Sequence, residues 1–187
     1  MIAVSLFLTI TTAGMGALLN ANLLHQKSQS MRSVLDNLSF IMEDMSKNLR
    51  TGSSYHCFIS GDIIPLSTSP IVSTPKSCAN GWALAFEPSG GLASNNDDQW
   101  VYYIDDTGKI FKSTAGPYIV SNFIQLSPDE VVIDTDASGF SVLGAEGKIG
   151  DSQQPFITIR LVGKITFKNV VTPFSLQTSV SQRLIDV

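Results

Sequence analysis

The chain has 187 residues and a net charge of −4, with 15% charged side chains against 43% hydrophobic ones, where soluble domains average roughly 25% charged. That length allows one ordinary domain with an appendage, or at most two small domains. The acidic balance argues against a nucleic-acid partner, which needs a basic face to displace phosphate counterions. Two cysteines and two histidines are too few for a disulfide scaffold, a thiolate zinc centre or His-rich metal chemistry.

The apolar excess is concentrated at the start. Residues 1–24 contain no ionisable side chain; Ile2, Val4, Leu6, Phe7, Leu8, Ile10, Leu18 and Leu19 dominate, interrupted by Ser5, Thr9, Thr11, Thr12, Gly14, Gly16, Asn20 and Asn22. As a helix this stretch is about 36 Å long, enough to cross a hydrocarbon core of about 30 Å. It has neither the basic n-region nor the Ala-x-Ala site of a cleaved secretory signal, and nothing amphipathic marks it as a buried core helix. A membrane-spanning helix is expected.

The helical pattern continues past this span. Residues 26–50 hold no Pro or Gly, and Met31, Val34, Leu35, Leu38, Ile41, Met42, Met45 and Leu49 recur in steps of three and four, which places them on one face of an α-helix. Lys27, Arg32, Asp36, Glu43, Asp44 and Lys47 lie mostly off that face. Lys47 and Arg50 suit the negative end of the helix dipole, and Gly52 is expected to cap the helix by adopting positive φ. One helix of about 50 residues results, and its amphipathic half needs a surface to cover.

Residues 53–187 carry every Pro, both Trp and most of the Gly. Runs rich in aromatic and β-branched residues predict strands at 54–59, 82–87, 100–105, 109–112, 130–134, 140–143, 156–165 and 174–182. Asp106-Thr107-Gly108 is a hairpin signal; Pro88-Ser89-Gly90-Gly91, Asn95-Asn96-Asp97-Asp98 and Ser127-Pro128-Asp129 mark further turns, as does the stretch 147–151. The stretch 61–77, with Pro65, Pro70 and Pro75, reads as a surface loop. The fold class expected is α+β: a helix unit at 1–52 packed on an antiparallel β-sheet domain at 53–187.

Cys57 and Cys78 flank the Pro-rich loop. A disulfide between them closes a loop of roughly 20 residues, worth about 3 kcal/mol on the chain-entropy model, and implies that the β domain faces an oxidising compartment. The positive-inside rule pulls the other way, placing Lys27 and Arg32 on the cytoplasmic side. Both hold if basic residues precede Met1 in the precursor, so the biological start is expected to lie upstream.

Catalytic signals are weak. No GxSxG elbow accompanies the many serines, neither His25 nor His56 sits in a triad-like setting, and no Gly-rich phosphate loop is present. No enzymatic activity and no cofactor are expected. The acid pairs Asp97-Asp98 and Asp105-Asp106 read as solvated turns. Asp134, Asp136 and Ser138, followed by Gly139, match the opening of a calcium loop. Its closing acid is missing, since Ala145 stands there with Glu146 one residue late; a hairpin turn between strands is the favoured reading. Arg160, Lys164 and Lys168 form at most a small basic patch on the wet face of a strand.

An apolar helix that turns amphipathic and then docks on an antiparallel sheet resembles the type IV pilin and pseudopilin architecture. Met1-Ile2-Ala3-Val4-Ser5-Leu6-Phe7 resembles the stretch just after the mature start of such helices. Leu35-Asp36-Asn37-Leu38-Ser39-Phe40-Ile41 and Met45-Ser46-Lys47-Asn48-Leu49-Arg50-Thr51-Gly52 resemble the end of the helix in minor pilins. Phe174-Ser175-Leu176-Gln177-Thr178-Ser179-Val180-Ser181-Gln182-Arg183 resembles their closing strand. The family's processing site, a small residue and then a methylated apolar N-terminus with a nearby Glu, has no counterpart here, because Ser5 is not an acid. The leader and first mature residues are therefore expected to lie ahead of Met1, or the protein is a non-processed relative.

The resemblance implies a non-enzymatic minor pilin or pseudopilin of a type IV pilus or type II secretion-like filament. Its subunit is a single-pass protein of the cytoplasmic (inner) membrane with the C-terminal domain outside, and reaches the cell surface on assembly. Its partners are membrane lipid, the inner-membrane assembly machinery and other pilin or pseudopilin subunits, met through the N-terminal helix; no nucleic acid is expected. Ala13, Gly14, Gly16 and Ala17 permit close helix approach, and each glycine weakens the helix by about 1 kcal/mol relative to Ala, which favours local unwinding on extraction. Two other readings stand beside this one: an anchored extracytoplasmic binding or adhesion protein that never polymerises, and a secreted β-domain enzyme.

Overall fold

A computed structural model describes residues 2–62, 74–92, 94–146, 153–167 and 170–183. The helix α1, Ile2–Thr51, runs unbroken for 50 residues, consistent with the absence of Pro and with glycine only at positions 14 and 16. Among the described residues ten strands follow: β1 Ser53–Phe58, β2 Cys78–Gly81, β3 Ala83–Glu87, β4 Trp100–Ile104, β5 Ile110–Ser113, β6 Ile124–Gln125, β7 Val131–Ile133, β8 Gly139–Leu143, β9 Phe156–Phe167 and β10 Val170–Ser181. The architecture is α+β.

The strands form two antiparallel sheets rather than one. The first has the order β1-β3-β4-β5-β6; the second runs β10-β9-β8-β2, with β7 also on β9. β9 is the spine of the second sheet. One side pairs with β10 from Phe156↔Ser181 to Phe167↔Val170; the other side carries β8 against Phe156–Arg160 and β7 against Gly163–Ile165. Pro173 lies inside β10 opposite Lys164 and is tolerated because β10 is an edge strand whose outer side needs no ladder donor.

The two sheets meet at their edges. Cys57 of β1 and Cys78 of β2 form a disulfide with Cα atoms 5.9 Å apart, and Cys57 N donates to the Lys76 carbonyl (3.1 Å) while Lys76 N donates to that of Tyr55 (2.9 Å). Gly81 makes this seam possible, since a Cβ there would stand 2.2 Å from Cys57 Sγ and 2.7 Å from the Phe58 carbonyl oxygen. The core lies between the sheets and the helix: Tyr55, Leu84, Phe86, Tyr102 and Ile110 come from the first sheet and Phe140, Val142, Ile157, Ile159 and Leu161 from the second. The opposite face of the first sheet has a smaller cluster of Phe58, Ala83, Ala85 and Val101, flanked by Trp82, Tyr103 and Phe123.

Two sequence expectations change here. Gly52 does not adopt positive φ. It is needed for space, because a Cβ would meet Phe86 Cδ2 at 2.5 Å and the Glu87 carbonyl oxygen at 2.9 Å. The positive φ instead falls at Ser54 (54°), where the β1–β3 register slips between Ser53 and His56, the signature of a β-bulge. Lastly, the turn at 134–138 is not a hairpin: β7 and β8 pair not with each other but successively with β9. The readings at Met1, across most of the 61–77 loop, at 147–151 and at Lys168 fall outside the described residues.

Candidate functional site

The feature that sets this molecule apart is the contrast between the two halves of α1. In the second half, Leu38, Ile41, Met42, Met45 and Leu49 are buried, Val34 and Leu35 pack against the same core, and Met31 is half-buried. These side chains rest mainly against β9 and β10. Removing one apolar side chain of this size from water is worth about 1.5–3 kcal/mol, so the stripe anchors the helix to the sheets.

Polar contacts fix the helix's rotation. Asp44 Oδ2 accepts from Lys112 Nζ (2.9 Å) and from the Tyr102 hydroxyl (2.9 Å), and Asn48 Nδ2 donates to Asp44 Oδ1 (2.9 Å) and to the Tyr102 oxygen (3.0 Å). Lys112 Nζ also lies 4.3 Å from the centre of the Trp100 ring, a cation–π arrangement. Burial alone raises the Asp44 carboxyl's pKa, but the hydrogen bonds from Lys112, Tyr102 and Asn48 and the Lys112 charge outweigh it and hold the group below its usual value. At the helix end, the Tyr55 hydroxyl reaches the carbonyl oxygens of Leu49 (2.6 Å) and Gly52 (2.7 Å), and Arg183 N donates to the Arg50 carbonyl (2.8 Å). Carbonyls that a helix terminus leaves without partners are thus met.

The first half is the reverse. Ile2, Val4, Leu6, Phe7, Leu8, Ile10, Leu18 and Leu19 are each more than half exposed, as are Leu23 and Leu24. A Cβ added at Gly14 or Gly16 would meet nothing within 4 Å. The hydroxyls in this half turn inward: Ser5, Thr9, Thr11 and Thr12 donate to carbonyls three or four residues earlier, at 2.8–3.1 Å. That is how a helix in hydrocarbon satisfies hydroxyl side chains. The most apolar window of α1 reaches a mean hydropathy of 1.9 with none of it buried. Among the described residues one helix is long and apolar enough to cross a membrane, and its second half packs on the antiparallel sheets; this is the general pilin-like architecture.

No family model matches the chain, and no curated protein and no solved structure matches it either. The functional reading therefore rests on the residues themselves.

The calcium-loop residues have other duties. Asp134 Oδ1 accepts from the backbone N–H groups of Asp136 and Ala137 (3.1 Å each), an Asx-type turn. The Ser138 hydroxyl accepts from Val162 N (2.8 Å) and donates to the Val162 carbonyl (3.0 Å), standing in for the missing strand neighbour between β7 and β8. Glu146 is engaged elsewhere: it accepts from Ser77 N (2.8 Å) and the Ser77 hydroxyl, contacts that pull its carboxyl pKa below the ordinary value. Among the described residues no three His, Cys, Asp or Glu side chains gather as a metal cluster.

His56 Nδ1 lies 2.7 Å from the Thr74 carbonyl oxygen and its ring 4.9 Å from that of Phe58; burial, with Lys76 nearby, lowers its pKa. Asp105 caps its turn by accepting from Thr107 N, Thr107 Oγ1 and Lys109 N. Asp98 departs from the solvated-turn reading, because its Oδ1 is buried. Nothing in the sequence flags that inward orientation, which depends on the path of the 88–98 connection.

Proposed function

We propose that the chain is a non-enzymatic structural subunit, a minor pilin or pseudopilin of a type IV pilus or type II secretion-like filament. The observation that carries this reading is the apolar first half of α1, exposed along its length and free of ionisable groups up to His25, on a helix whose second half is locked into the β domain. Such a surface suits lipid before assembly. It equally suits the dry centre of a bundle of identical helices afterwards, because neither environment solvates charge. Open space around Gly14 and Gly16 leaves room for a neighbouring backbone to approach. The disulfide between Cys57 and Cys78 supports an oxidising, extracytoplasmic location for the β domain.

Site-specific photo-crosslinking in the producing cell tests the proposal. A photoreactive residue at Leu18 is expected to capture other filament subunits in material sheared from the cell surface, while the same residue at Ser175 on β10 does not give that helix–helix product. Crosslinks from Leu18 to lipid alone, with none of the chain in sheared material, would instead assign it as a permanent membrane anchor.

A further inference from the structure

The connection between β3 and β4, described at residues 88–92 and 94–98, closes over oxygen atoms that no donor of the described chain reaches. Glu87 and Gln99 are 2% and 1% exposed and face each other at the root of this connection, where Gln99 Nε2 donates to Glu87 Oε1 at 2.8 Å. The other carboxylate oxygen of Glu87, Oε2, and the amide oxygen of Gln99, Oε1, are buried without a partner, as are Asp98 Oδ1 and Asn96 Oδ1.

The loop path draws these groups together. A Cβ on Gly91 would stand 2.8 Å from Glu87 Oε2, and the next residue, Leu92, donates its N–H to Asp98 Oδ2 at 3.0 Å. Both carboxylates therefore bracket the Gly91–Leu92 step. On the far side, Gly116 N donates to the Gln99 carbonyl at 2.9 Å, and a Cβ on Gly116 would lie 2.7 Å from the Asn96 carbonyl oxygen. This holds the Asn96 backbone near that of Gln99. Burial and the Asp98 charge raise the Glu87 carboxyl's pKa despite the Gln99 bond, so the two acids sense one another.

All four atoms are acceptors. A proton on Glu87 answers one of them. Carboxylate and amide-carbonyl oxygens together are the ligand set of a hard divalent cation. We propose that Glu87, Asp98, Gln99 and Asn96 form a binding site for a divalent cation of the calcium class, at the end of the first sheet and separate from the Asp134 turn. The proposal does not depend on filament assembly.

Calorimetric titration of calcium chloride into the chelator-stripped full chain in detergent micelles tests it, alongside thermal unfolding. The expected result is saturable single-site binding in the range of about 0.1–1 mM typical of extracellular calcium modules, with a rise in unfolding temperature. Asp98→Asn and Glu87→Gln are each expected to weaken binding at least about tenfold, the ordinary loss when metal-site support is removed. Asp134→Asn is expected to leave binding unchanged. Asp98→Asn keeps an acceptor for Leu92 N, so that variant decides the matter if Glu87→Gln fails to fold. Absence of saturable heat and of any thermal shift at millimolar calcium would overturn the proposal and assign the cluster to a protonated Glu87. Undiminished binding in Asp98→Asn, or binding lost in Asp134→Asn, would overturn it equally.

Discussion

Asp44 ties the helix to the first sheet through Lys112 and Tyr102, and its depressed pKa makes that tie dependent on pH. The unfolded chain binds the proton more readily than the native one. The contribution is therefore complete above the ordinary carboxyl value of 3.8 and fades as pH falls through the lower native value. Asp44→Asn is expected to flatten that acid limb, measured as the denaturant midpoint in detergent between about pH 2 and pH 7; an unchanged limb would assign acid sensitivity elsewhere. Apolar residues divide by position along α1. Met45 is wholly buried while Leu18 is 73% exposed, so Met45→Ala is expected to cost the domain about 2–5 kcal/mol and Leu18→Ala almost nothing, read by thermal unfolding of the same detergent-solubilised chain.

At the scale of elements, the disulfide pins β1 to β2, joining two sheets that otherwise make few main-chain bonds to each other. Cys57→Ser is expected to lower stability by about 3 kcal/mol, and reduction of the native protein should reproduce the loss; equal denaturant midpoints with and without reductant would refute this. Elements with a strong period were legible in the sequence. The helix stripe from Met31 to Leu49 needed only steps of three and four, and Trp100-Val101-Tyr102-Tyr103-Ile104 needed only β-branched and aromatic content. β2 was not legible, because Cys-Ala-Asn-Gly has neither; its pairing with β8 is dictated by tertiary context across some sixty residues. Two-residue β6 is too short for any period to show. β10 begins four residues before the expected 174–182 strand, because Pro173 reads as a strand breaker until its edge position is known.

At the scale of the whole molecule, the α+β class and the contrast within α1 follow from composition and periodicity, whereas the division into two sheets does not. That division is decided by which strands share β9, a matter of chain topology. The proposed cation site was equally hidden: Asp98 looks like any turn acid until the loop folds its Oδ1 inward. The consequence of the architecture is mechanical. A helix fixed by its second half to a β domain presents its first half as a charge-free rod, and transfer of such a rod from lipid to a bundle of its own kind strands no charge in an apolar medium. The most direct measurement is the partition of the full chain, quantified by immunoblot, among alkali-extracted membranes, sheared surface filaments and the soluble fraction of the producing cell. The account predicts the chain in both membranes and filaments and its absence from the soluble fraction; a freely soluble, monomeric full-length chain without detergent would contradict it.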